Sequence, residues 1–194
     1  LGTDALGAAT SGAENIALGH DAMGGAAVTG ANNIAIGKAS ADALIAGACN
    51  VALGFNALGA SESGNRNIAI GENAMGAGVT TAENTIAMGY ESGCKVTSGY
   101  GNIAMGVCSV ATATSGCKNV FLGYESGKTG IVTGHSNVAI GTNTGDAMTC
   151  GACNVAIGFH ALGAATDNNA NIAIGLCALA ASANDGDNNI AIGN

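Results

Sequence analysis

Asn67-Ile68-Ala69-Ile70-Gly71 is followed seventeen to eighteen residues later by Thr85-Ile86-Ala87-Met88-Gly89, and preceded at a similar distance by Asn50-Val51-Ala52-Leu53-Gly54. Extended in both directions, the motif starts at Asn15, Asn33, Asn50, Asn67, Thr85, Asn102, Asn119, Asn137, Asn154, Asn171 and Asn189, which makes eleven copies. Ten begin with Asn, ten carry Ala third (Phe121 is the exception), and all eleven end in Gly. The spacings run 18, 17, 17 and repeat, so Asn15, Asn67, Asn119 and Asn171 stand 52 residues apart. A short, fixed period of this kind is the mark of a repeat architecture. Duplication of a three-coil unit accounts for the higher period. Ala5-Leu6-Gly7 falls in register with Ala57-Leu58-Gly59, so Leu1 is expected to open inside a truncated twelfth coil of a longer protein.

Ile-Ala-Ile alternates with period two and carries branched residues at both ends, which is a strand pattern. A Gly every few residues costs a helix about 1 kcal/mol each relative to Ala. Each coil therefore reads as strand, turn, short second strand and return loop. The second strand is expected at Ala57-Leu58-Gly59, Ala74-Met75-Gly76 and their equivalents, and the loop at Ser63-Gly64, Ser98-Gly99 and Thr133-Gly134. The fold class expected is all-β: a parallel β-solenoid, left-handed and β-roll-like, with 17–18-residue coils, formed by residues 1–194 as one segment of eleven to twelve coils.

Stacking aligns equivalent residues, at about 4.8 Å per coil. The Asn residues 15, 33, 50, 67, 102, 119, 137, 154, 171 and 189 are expected to form a structural ladder, bonding to the turn backbone and to the Asn above and below. Within a strand, Ile34 and Ile36 share one side and Ala35 takes the other. On the premise that large residues point inward, Ile34, Ile36, Ile68, Ile70, Ile172 and Ile174 are assigned to the core. Ala35, Ala52, Ala69, Ala104, Ala139, Ala156 and Ala173 then form an outward face too small and apolar for water. They are assigned to the axis of a homotrimer, where Phe121 is the discordant residue.

Composition agrees with a narrow, repeated core. Of 194 residues 33 are Gly, none is Pro or Trp, and aromatics make up 3%. The net charge of −8, with five Lys and Arg, argues against nucleic-acid binding and against docking on anionic lipid. No apolar run is long enough for a membrane-spanning helix.

The Asn-Ile-Ala-Ile-Gly…Ala-Leu coil resembles the head repeat of trimeric autotransporter adhesins. It also resembles the β-solenoid shaft repeats of bacteriophage tail fibres, with Asn119-Val120-Phe121-Leu122-Gly123-Tyr124-Glu125-Ser126-Gly127 especially close to the latter. The resemblance spans essentially the whole chain. It implies a homotrimeric fibre, assembled in a host cytoplasm and carried on a virion, whose partners are its own copies and a host cell-surface glycan or protein. A head domain on a Gram-negative cell surface is the nearest rival. The adhesin heads have shorter coils, so three or four extra residues must lie in loops here. Seven cysteines, Cys49, Cys94, Cys108, Cys117, Cys150, Cys153 and Cys177, occupy different places in the coil. An odd number of scattered thiols suits a reducing compartment and favours the virion fibre.

Chemistry-bearing motifs are sparse. Cys150-Gly-Ala-Cys153 is a lone pair, and a zinc site wants four ligands. Asn184-Asp185-Gly186-Asp187-Asn188 is rich in oxygen ligands but lacks the spacing of a calcium loop. His20, His135 and His160 are isolated, and no nucleophile or phosphate-binding motif is present. No cofactor, metal or catalytic residue is expected, and the chain does not read as an enzyme. An ice-binding solenoid would need a Thr ladder, whereas Thr112 and Thr114 stand in one coil. A polysaccharide-cleaving β-helix would need larger coils with charged clusters.

Overall fold

The computed structural model describes all residues except 79, 112–114, 130–131, 165 and 181–185. It is an all-β parallel β-solenoid. Eleven three-residue strands run β1 (Ile16–Leu18), β2 (Ile34–Ile36), β3 (Val51–Leu53), β4 (Ile68–Ile70), β5 (Ile86–Met88), β6 (Ile103–Met105), β7 (Val120–Leu122), β8 (Val138–Ile140), β9 (Val155–Ile157), β10 (Ile172–Ile174) and β11 (Ile190–Ile192). Each pairs only with its sequence neighbours, all parallel, in a single sheet ordered β1 to β11. The register is strict: Ile68 lies against Ile86, Ala69 against Ala87 and Ile70 against Met88, with the same correspondence at every step. The stretch ahead of Asn15 obeys it too, since the Leu6 N–H donates to the Ala22 carbonyl as Leu58 does to Ala74.

The Gly that closes each motif is dictated by this stack. Gly71 has φ 129°, and a Cβ there would lie 2.5 Å from the carbonyl oxygen of Gly89 in the next coil. No side chain fits at that approach.

The expected second strand is a left-handed turn instead. Leu58 and Met75 have φ of 52° and 50°, and Val110 in the same slot has 51°. Positive φ removes the alternation a strand requires. The turn still stacks, through amides that donate one coil onward: Met75 N–H to Ser92 O (3.0 Å), Gly93 N–H to Ser109 O (2.9 Å).

The expected burial of the strand is reversed. Ala35, Ala52, Ala69, Ala139, Ala156 and Ala173 are 0% exposed in a single chain, and Ala104 is equally enclosed. They face the chain's own interior, so they cannot line an axis between chains. Ile34, Ile68, Ile70, Ile172 and Ile174 are half-buried and Ile36 is exposed, so they are not the core. The reason is the thinness of the coil. Leu58, Met75 and Leu162 of the turn project into the interior from the opposite wall and are fully buried there. Only one large side chain fits across the gap, so the strand opposite must be small.

Where the turn slot is small, another residue fills the space. Beside Gly93 stands Val96, beside Gly145 Met148, and beside Gly127 the ring of Phe121. All three fillers are buried. Close packing is thus maintained coil by coil with different residues.

Candidate functional site

The Asn ladder is formed as expected, and it is structural. The Asn33 backbone N–H donates to Asn15 Oδ1 (2.8 Å), that of Asn50 to Asn33 Oδ1 (2.9 Å) and that of Asn67 to Asn50 Oδ1 (2.9 Å). The pattern continues through Asn119, Asn137, Asn154, Asn171 and Asn189. Each Asn ahead of the last motif also closes its own coil. Asn50 Nδ2 donates to Gly64 O (2.7 Å), Asn102 Nδ2 to Gly116 O (2.7 Å) and Asn67 Nδ2 to Ala82 O (2.7 Å). The acceptor lies 14 residues on in 17-residue coils and 15 in 18-residue coils. It always stands three residues before the next motif, so the extra residue is absorbed within the coil, ahead of this contact. Between the two ends of the stack these side chains are buried and satisfied, and none is offered to a ligand.

The strand's other two rows face outward. One runs from Ile16 through Val51, Ile86 and Val120 to Ile190, and the other from Leu18 through Leu53, Met88 and Leu122 to Ile192. Every residue in both rows is Ile, Val, Leu or Met, and none is buried in the single chain. Over eleven strands the stripe is about 50 Å long. This is the principal unsatisfied surface of the molecule.

A second exposed row begins one residue after the motif Gly. Phe55, Tyr90, Val107, Tyr124, Phe159 and Leu176 occupy it, with Glu72 and Thr142 between them. Its backbone is locked from coil to coil: Tyr90 O accepts from Cys108 N (2.8 Å), and Val107 O from Glu125 N (2.9 Å). Sequence reading missed this row. Its signal was available in the residue after each Gly, where rings recur at spacings of 35, 34 and 35.

Elsewhere the described residues hold no reactive constellation. Cys150 and Cys153 are exposed and unbonded to each other, and no cysteine forms a disulfide. Burial raises the Cys94 and Cys108 thiols above their ordinary range, which holds them protonated and poorly nucleophilic. Among the described residues no three His, Cys, Asp or Glu side chains converge as metal ligands. His20 Nδ1 lies 2.7 Å from Asp21 Oδ2 at the surface, and the His135 backbone pairs with that of Cys117 in the neighbouring coil. A shallow depression of about 310 Å³ is lined by Tyr100, Cys117, Lys118, Thr133, His135 and Ser136. Lys118 Nζ stands 5.8 Å from the Tyr100 ring centroid there, a cation–π contact. Asp187 Oδ1 accepts from the Asn169 N–H (2.6 Å), while Asn184 and Asp185 of the same acidic segment lie outside the described residues, as do Thr112 and Thr114. Among the described residues no helix is long and apolar enough to cross a membrane.

No family model matches the chain, and neither a curated protein nor a solved structure matches it significantly.

Proposed function

We propose that the chain is a structural segment of a homotrimeric attachment fibre, carried on a virion, whose protomers associate through the outward Ile/Val and Ile/Leu/Met rows of β1–β11. The observation that carries this reading is the stripe itself. Two continuous apolar rows on an otherwise acidic rod would cost heavily in water, and monomeric proteins seldom leave a patch of that extent uncovered. Rows that run along the rod are covered together when copies lie side by side around a parallel axis, and closed rotational symmetry leaves no open face. The count of three follows the fibre resemblance. An odd number of cysteines, scattered over different places in the coil, supports assembly in a reducing compartment, and so a virion fibre over an adhesin head.

Sedimentation of the native chain is the test. An assembled species of about three times 18.4 kDa is expected, falling to a single chain mass when Ile68 and Ile70 are replaced by Lys. A single chain mass for the unaltered protein overturns self-association. Antibody against the chain should decorate fibres on tailed particles in negative stain; decoration of a bacterial outer membrane would favour the adhesin.

A further inference from the structure

We propose that the rings of Phe55, Tyr90, Tyr124 and Phe159 form a binding track for an extended, uncharged β-1,4-linked polysaccharide. The four rings stand in one row of equivalent positions, one residue past the motif Gly, and are between 44% and 52% exposed. They occur on the third, fifth, seventh and ninth strand-bearing coils, with one coil between each pair. Two coil steps of about 4.8 Å put successive rings about 9.6 Å apart. In an extended β-1,4 chain each sugar is turned over relative to the last, so the same apolar sugar face returns once per disaccharide. The length of that disaccharide matches the ring spacing. Rings every coil would meet the two opposite sugar faces alternately, and a helical α-linked chain would not stay aligned with a straight row of rings. The strict parallel register keeps the row straight over its whole length.

The surroundings fit a sugar better than a protein or an anion. Each ring is followed by a hydrogen-bonding residue held in the left-handed conformation: Asn56, Glu91, Glu125 and His160, with φ between 51° and 55°. The rings offer stacking surface, and this flanking row offers partners for hydroxyl groups. The carboxylates of Glu91 and Glu125 beside them hold the Tyr90 and Tyr124 phenols above their ordinary range. The carboxylates, on a chain of net charge −8, disfavour an acidic polysaccharide. The track is a property of one chain. It names the ligand class for the attachment role proposed above and rests on that reading only for its biological setting.

Retention of the full chain on microcrystalline cellulose and on chitin powder, with starch granules as the α-linked comparison, tests the proposal. Binding is expected to cellulose, chitin or both, and the two arms show which sugar is preferred. Replacing Tyr90 and Tyr124 together by Ala should weaken it by at least about tenfold. The pair Val107→Tyr and Tyr124→Val keeps the ring count but breaks the alternation, and should lose as much. Tyr100→Ala, an exposed ring in another row, should change nothing. Failure of the unaltered chain to bind either β-linked material, equal retention on starch, or full retention by the Val107→Tyr/Tyr124→Val pair would each overturn the track. Sedimentation of the same preparation separates the two proposals: a chain that assembles but is not retained sinks only this one.

Discussion

The coil that opens at Asn67 and the coil that opens at Asn119 stand one 52-residue unit apart and solve the same packing problem in opposite ways. The first places Ala69 on the strand and Met75 on the turn. The second places Phe121 on the strand and Gly127 on the turn. All four residues are buried, and the backbone is shared: Met75 has φ 50° and Gly127 has φ 65°. A Cβ on Gly127 would come within 2.5 Å of the Phe121 ring. The interior therefore fixes the total volume across the coil and not the wall that supplies it.

The largest expected effect breaks that balance by subtraction. Phe121→Ala leaves both walls small and should destabilise the protein by roughly 3–5 kcal/mol, read as the shift of a denaturation midpoint. Gly127→Met overfills the same coil and should cost about 1–3 kcal/mol. The double variant recreates the pairing of the Asn67 coil. It should be clearly less destabilised than the sum of the two losses, with a coupling energy of up to about 3 kcal/mol in a double-mutant cycle. Simple additivity of the two losses would mean that the coils do not share one volume rule.

A smaller difference lies one coil further on. Asn119 passes the ladder to Asn137, which returns both its backbone N–H (2.9 Å) and its side-chain amide (3.1 Å) to Asn119 Oδ1. Asn67 passes it to Thr85, which returns the backbone N–H (3.0 Å) but has no amide to give. Thr85→Asn should raise stability by about 1 kcal/mol, within the ordinary net value of a hydrogen bond.

The smallest effect concerns the surface. Where the Asn67 coil has Asn73, the Asn119 coil has Glu125, whose carboxyl is held below its usual range chiefly by a hydrogen bond from Lys128. A depressed carboxylate contributes stability above its unfolded value and loses it as the pH falls through the depressed one. The difference in melting temperature between the unaltered chain and Glu125→Gln should be slight at neutral pH, because the pair is still partly open to solvent, and should vanish on acidification.

These coils also show where sequence reading succeeds and where it stops. The stack, its parallel register and the Asn ladder follow from spacing, because a fixed period aligns like residues whatever their orientation. Orientation does not follow. Period-two alternation says that Ile68 and Ile70 share a face, but not whether that face is the inner one. Assigning the large residues to the interior assumes a wide core, and here the coil is one large side chain thick. The exchange of Ala69 and Met75 for Phe121 and Gly127 at one 52-residue interval was the available clue, since residues that trade volume must touch. The left-handed turn was less legible. Its slot holds Leu, Met, Ala, Val and Gly, and only the last advertises positive φ. The row of rings was hidden by its neighbours, because Glu72, Val107 and Thr142 interrupt it and mask the alternation.

The 52-residue period has a consequence for reach. An in-frame gain or loss of one such unit returns every motif start to a motif start (Asn to Asn except at Thr85) and every closing Gly to a Gly, so no new junction has to be invented. It changes the rod by three coils, about 14 Å, and leaves its cross-section untouched. A lineage carrying this gene can therefore tune the length of the rod by recombination alone, in even steps, with no substitution required.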